Sequence, residues 1–218
     1  MRITIVYDNT TLRKELKADW GFSCFIEFQD INILFDTGTK SSILFSNMEK
    51  LGVDYTKADL IFISHKHGDH LGGLYDVLKH NKKAKIYLPF VDLKSQDRDR
   101  TYTLTEPTRL NENIITSGLL ECDERKGLVE QSLFFELKNG LVVIAGCSHP
   151  SVRKILNRSK EFGKPFALIG GLHGFNEFEL LEELELVCPT HCTKHIDEIK
   201  KRYPNKYLKG GVGRVIDF

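Results

Sequence analysis

ISHKHGDHLGG, residues Ile63–Gly73, places three histidines and an aspartate within six positions, and the whole chain has only eight histidines. The apolar run Leu60–Ile63 enters it as a buried strand, and a glycine pair follows. His65 and His67 are two apart at the strand end. Side chains at that spacing point to the same side of extended backbone, so both imidazoles can reach one ion. Gly68 permits a sharp turn, after which Asp69 and His70 open a helix and aim at a second point nearby. Two imidazoles suit one zinc-like ion, and a carboxylate with an imidazole suits another. That pattern is what a two-metal hydrolytic site requires, with ions roughly 3.5–4 Å apart. The competing reading is a solvated loop that happens to be rich in histidine.

Outward from this stretch, the chain alternates strand and helix signals. RITIVYDN reads as a strand, and Phe22–Phe28 and Ile31–Phe35 read as a hairpin joined at Gln29-Asp30. Ile43, Leu44, Met48 and Leu51 fall near helical spacing, with Gly52 as the stop. LGGLYDVLKHNKKA reads as one helix and KIYLPF as a strand. Residues 91–126 carry few periodic signals and include the charged run KSQDRDR, so loops with short strands are expected, as a substrate-facing insertion. Order returns at SLFFELKNGLVVIAGCSH, where Asn139-Gly140 between apolar runs signals a hairpin. Then follow a helix (SVRKILNRSKEFG), a strand (FALIGG), a helix (EFELLEELELV), a helix start (THCTKHIDEIKKRY) and a final strand (GGVGRVIDF). This order suggests one α/β domain over 1–218 with two mixed sheets and helices outside them.

Composition limits the function. The 218 residues are 41% hydrophobic and 28% charged, with a net charge of +1. A nucleic-acid binder usually carries a basic excess, so none is expected as partner. No apolar run reaches the ~18 residues of a membrane span, and MRITIVYDNT lacks the features of a signal peptide. Five irregularly spaced cysteines then read as free thiols, and the expected location is the cytoplasm.

HKHGDH matches the HxHxDH signature of the metallo-β-lactamase superfamily, and ILFDTG upstream is similar to its aspartate-containing first motif. NGLVVIAGCSH, IGGLH and PTHCT follow in order. Together they resemble one branch of metal-dependent hydrolases, related to the dihydropterin ribofuranosyl-aminobenzene phosphate synthase type, over about Ile5 to His191. The resemblance implies a four-layer αββα sandwich with metals at one edge. It also implies further ligands from the second half of the chain. His149 is expected to join His65 and His67 at the first site, and His191, taken to open a helix, to join Asp69 and His70 at the second.

Other residues stay open on sequence grounds. Cys147 stands where the superfamily has a bridging aspartate, and is either a thiolate ligand or a small buried filler. His173 either faces the substrate or supports the site, unless it is structural. Asp36 reads as a carboxylate orienting the histidine loop, or as a turn residue. His80 reads as a surface residue, and His195, one helical turn beyond His191, as a surface residue or one that supports the site from behind. GGVGRV has no helix after it and is no dinucleotide fingerprint.

The expectation is a metal-dependent hydrolase with one or two divalent ions, zinc first and manganese or iron as alternatives. The ions activate water against a phosphodiester, ester or related small-molecule substrate, and Asp69 accepts a proton or orients the attacking water. The rival is a non-hydrolytic redox or sensor protein of the same fold, suggested by the cysteines near the motifs. Oligomeric state is not legible.

Overall fold

The protein is described from a computed structural model covering residues 1–91, 95–123 and 125–218. It divides into two compact units, residues 1–103 with 210–218, and residues 104–209.

The first unit is built on a seven-stranded mixed sheet. Its strands are β1 (Arg2–Tyr7), β2 (Ser23–Phe28), β3 (Ile31–Phe35), β4 (Leu60–Phe62), β5 (Lys85–Tyr87), β6 (Thr101–Tyr102) and the C-terminal β15 (Val215–Asp217). β15, β1, β2 and β3 pair antiparallel, whereas β3 to β6 pair in parallel. The hairpin at Gln29-Asp30 forms as expected, with Gln29 at φ 53°. Helices α1 (Ser41–Lys50), α2 (Gly68–Leu71) and α3 (Leu74–His80) follow the strands. Leu44 and Met48 of α1 and Leu74, Val77 and Leu78 of α3 join Val6, Leu34, Ile61 and Ile86 in one core. The single helix expected from Leu71 is instead two, because the Gly72-Gly73 pair packs on the backbone of residues 37–39. A Cβ on Gly72 would lie 2.1 Å from the Thr39 carbonyl oxygen, and one on Gly73 would lie 2.6 Å from that of Thr37. Close approach, rather than flexibility, is what the two glycines provide.

The second unit holds a six-stranded mixed sheet in the order β14-β13-β12-β11-β8-β7. The strands are β7 (Thr108–Arg109), β8 (Ile114–Thr116), β11 (Leu133–Leu137), β12 (Gly140–Ala145), β13 (Pro165–Gly171) and β14 (Leu186–Thr190). A two-stranded ribbon, β9 (Leu120–Glu121) with β10 (Val129–Glu130), forms a sheet of its own. β12, β13 and β14 are parallel, and the others are antiparallel. Helix α4 (Val152–Lys160) places Val152, Ile155 and Leu156 in the core, with Ile199 of α5 (Ile196–Arg202).

Three further expectations change. The β11–β12 turn is Lys138-Asn139, one residue earlier than expected, and the positive φ falls on Gly140 at 128°. EFELLEELELV is a 3₁₀ turn (Phe178–Leu181) followed by β14, because the sheet takes its parallel edge strand, paired with β13, from that segment. Its apolar residues served strand and helix readings equally well. The middle of the chain has the short strands expected of it. It contributes a 3₁₀ helix (Ser95–Arg100), the edge strands β6 and β7, and β8 between β7 and β11, two or three residues each, too short to show a period. Residues 92–94, including the start of KSQDRDR, and residue 124 lie outside the described ones. His191 does not open a helix; α5 begins at Ile196.

Parallel pairing of β12 and β13 depends on Gly170, at φ 131°, where a Cβ would lie 2.0 Å from the Ala145 carbonyl oxygen. Gly170→Ala is expected to lose at least about 3 kcal/mol in urea unfolding. Gly174→Ala, where a Cβ meets nothing within 4 Å, is expected to stay within about 0.5 kcal/mol.

Candidate metal centre

The candidate residues stand just beyond the carboxyl ends of parallel strands, where ligands collect in α/β sheets. In the first unit, His65, His67, Asp69 and His70 follow β4. In the second, Cys147 and His149 follow β12, His173 follows β13, and His191 and Cys192 follow β14.

In the first unit everything turns on Asp36, which is wholly buried directly after β3. Its carboxylate accepts hydrogen bonds from the Ser64 backbone N–H at 2.7 Å and from the Ser64 hydroxyl at 2.8 Å. It also lies 2.7 Å from His70 Nδ1. A carboxylate accepts only, so Nδ1 carries the proton and His70 presents Nε2 as a lone pair. Ser64 Oγ lies 2.9 Å from His65 Nδ1, and His65 Nε2 lies 3.1 Å from His67 Nδ1. The buried carboxylate therefore orients two imidazoles, one directly and one through a serine. Asp69 accepts the Trp20 indole N–H at 2.8 Å, and its Oδ2 is 3.9 Å from His70 Nε2. Asp36, His65, His67, Asp69 and His70 are thus brought together as one array.

The second unit has a parallel device. Glu130, wholly buried in β10, accepts four backbone N–H groups of the GCSH loop. Oε1 takes Gly146, Cys147 and Ser148 at 3.0, 2.9 and 3.0 Å, and Oε2 takes His149 at 2.9 Å. The donor atoms of Cys147 and His149, and of Cys147 and His191, lie within 4.8 Å of each other. The His149 and His173 rings are 5.1 Å apart, centroid to centroid. The two Sγ atoms of Cys147 and Cys192 are 3.3 Å apart. Hydrogen bonding from Cys147, then from His173, and the charge of His191 outweigh burial and push the Cys192 thiol down to about 4. The same contact with Cys192, against desolvation, raises the His173 imidazole. A cavity of about 230 Å³ opens beside His149 and His173, with Ser148, Leu172, Asn176 and Glu177 in its wall.

Backbone strain gathers at the same places. Among the described residues six non-glycines have positive φ, and Asp36, Ser148, Ser151, His173 and His191 are five of them. Each left-handed residue of this kind costs on the order of 1 kcal/mol and persists where the surroundings over-determine it.

Solved structures share this arrangement of strands and helices. A metal-dependent hydrolase of the β-lactamase superfamily superposes with a TM-score of 0.79, covering 100% of this chain and 99% of that one, at 24% identity. The chain has the metallo-β-lactamase fold. Among curated relatives, the 7,8-dihydropterin-6-methyl-4-(β-D-ribofuranosyl)-aminobenzene-5'-phosphate synthase of Methanocaldococcus jannaschii is 24% identical, over 99% of this chain and 95% of the relative. An uncharacterized protein of the same organism is 27% identical, over 98% of this chain and 99% of the relative. The family model for the anti-Pycsar protein Apyc1 matches residues 15–91.

Within this metallo-β-lactamase fold, two histidines stay out of the arrays. His80 is exposed, edge-on to Phe45 and Tyr55. His195 is exposed at the start of α5, edge-on to Phe178. It does not share a helical face with His191, since no helix joins them. Glu130 and Trp20 escaped the sequence reading. Nothing local marks an acid in a two-residue strand as buried, and its partners are 16 to 19 positions away. Donor chemistry fits a borderline divalent ion such as zinc: imidazole nitrogens oriented from behind, a carboxylate and a thiol.

Glu130→Gln turns one acceptor oxygen into an N–H donor facing backbone N–H groups. The expected loss is about 2–4 kcal/mol in chemical denaturation, with faster amide exchange at residues 146–149.

Proposed function

We propose that the chain is a metal-dependent hydrolase acting on a phosphodiester, ester or related small molecule. The observation that carries this is the pair of histidine arrays at strand ends, each fixed from behind by a buried carboxylate. In this reading His65, His67 and His149 hold one divalent ion, and Asp69, His70 and His191 hold the other, with zinc as the expected metal. When bound, such ions act as Lewis acids, acidifying water and polarising a substrate oxygen.

The chain's own residues set the rest. Asp36 keeps the Nδ1 proton on His70 and so keeps Nε2 free to donate. Ser64 does the same for His65. Glu130 neutralises the outward N–H groups of the GCSH loop, which fixes His149. Asp69, restrained by the Trp20 indole, accepts or orients the proton of the attacking water. His173, at the wall of the cavity, contacts the substrate. Residues 1–218 act as one domain, in the cytoplasm, without nucleic acid or membrane as partners. No helix among the described residues is long and apolar enough to cross a membrane.

A phosphorylated substrate is favoured by the name of the M. jannaschii relative, a phosphate synthase. That name also supports a second reading, transfer to an organic acceptor in place of water.

Elemental analysis of the purified protein is expected to give one or two zinc-like ions per chain. His67→Ala and His149→Ala should each lose metal and lower phosphodiesterase or esterase turnover at least ~100-fold. A His67→Ala protein that keeps both metal and activity would sink the proposal.

A further inference from the structure

We infer that Cys147 and Cys192 are a reversible disulfide pair, an oxidation site for small-molecule disulfides within the second unit. Their sulfurs are 3.3 Å apart, and Cys192 Sγ also lies 3.8 Å from the Cys147 carbonyl oxygen. A disulfide bond is about 2.05 Å long, so the sulfurs need to approach by little more than ~1 Å.

The surroundings hold the pair in this position. Glu130 binds the Cys147 N–H at 2.9 Å and fixes that side. Thr193 fixes the other: its hydroxyl donates to the Thr190 carbonyl at 2.7 Å and accepts the Leu172 N–H at 2.9 Å. Gly171 lies between the two. A Cβ there would sit 2.8 Å from Cys192 Sγ and 3.2 Å from Cys147 Cα, so glycine is what leaves room for the sulfurs to face each other.

Access divides the roles. Cys147 is only 3% exposed, whereas Cys192 is partly exposed. Cys24 and Cys188 are wholly buried within β2 and β14. Cys192 therefore attacks first. Its sulfur bonds to one sulfur of the small disulfide, the S–S bond of the reagent breaks, and one small thiol leaves. Cys147 then attacks the Cys192 sulfur and expels the second small thiol. Two protein thiols become one disulfide, the reagent is reduced to two thiols, and the two thiol protons end on those products. The new bond ties the segment bearing His149 to the segment bearing His191, 45 residues apart in sequence at the two sulfurs. A reducing thiol reverses it.

The full-length protein, reduced and then incubated with oxidised glutathione, provides the test. Non-reducing peptide mapping should recover a Cys147–Cys192 cross-linked peptide, with two thiols lost of five per chain and both regained with dithiothreitol. Cys147→Ser should stop at a glutathione adduct on Cys192, and Cys192→Ser should form no cross-link. The inference is overturned if the wild-type protein keeps all five thiols, or if glutathione accumulates on Cys192 with no cross-link. The wild-type measurement decides the matter even where a variant folds poorly. The readout is a covalent bond, so its outcome is independent of whether the chain is a hydrolase.

Discussion

A carboxylate without water around it is tolerated only when its oxygens are occupied by donors, and two such groups organise this protein. Asp36 and Glu130 are both wholly buried. Removing an ion of this kind from water costs several kcal/mol even after relaxation. Each offsets that cost by collecting donors from one loop: Ser64 and His70 for Asp36, and four consecutive N–H groups for Glu130. The energetic demand and the chemical result are the same fact. The donors that satisfy the charge belong to the loops that carry the candidate ligands, so satisfying it also fixes the ligands.

Strand topology explains why the loops lie where they do. In each unit an antiparallel hairpin runs into parallel strands: β2–β3 into β4, and β11–β12 into β13 and β14. Parallel neighbours end at the same edge, so their following loops start side by side. In the second unit Ala145 is level with Gly170, and Gly171 with Thr190. The residues next in sequence include Cys147, His173, His191 and Cys192. Ordinary strand geometry stops there, and the chain turns through left-handed backbone at Asp36, Ser148, His173 and His191. Those conformations are held by bonds such as Ser148 Oγ to the Gly171 carbonyl and Thr37 N–H to the His70 carbonyl.

How much of this was legible depends on whether the signal is local. His65, His67, Asp69 and His70 are neighbours in sequence, so their array could be read from spacing alone, and Asp36 followed from the FDTG bend. The α1 face was legible for the same reason, although it also buries Asn47. That side chain is satisfied by the Val6 and Lys17 carbonyls and the Lys17 N–H, which no periodicity reveals. Segments with two plausible periods misled: the apolar residues of EFELLEELELV fit a helix, but the sheet needed a strand, and the helix after His191 starts five residues late.

The sequence by itself determined the histidine and aspartate cluster of candidate ligands, the mixed α/β character and the main hairpins, because residue type, short spacing and turn preference act within a few positions. Only the tertiary structure decided which carboxylates are buried and what they hold. Glu130 looks like any surface acid until four N–H groups converge on it, and Cys147 and Cys192 look like separate free thiols until β12, β13 and β14 align. Both outcomes come from burial and from pairing of distant strands, and those are set by the fold as a whole.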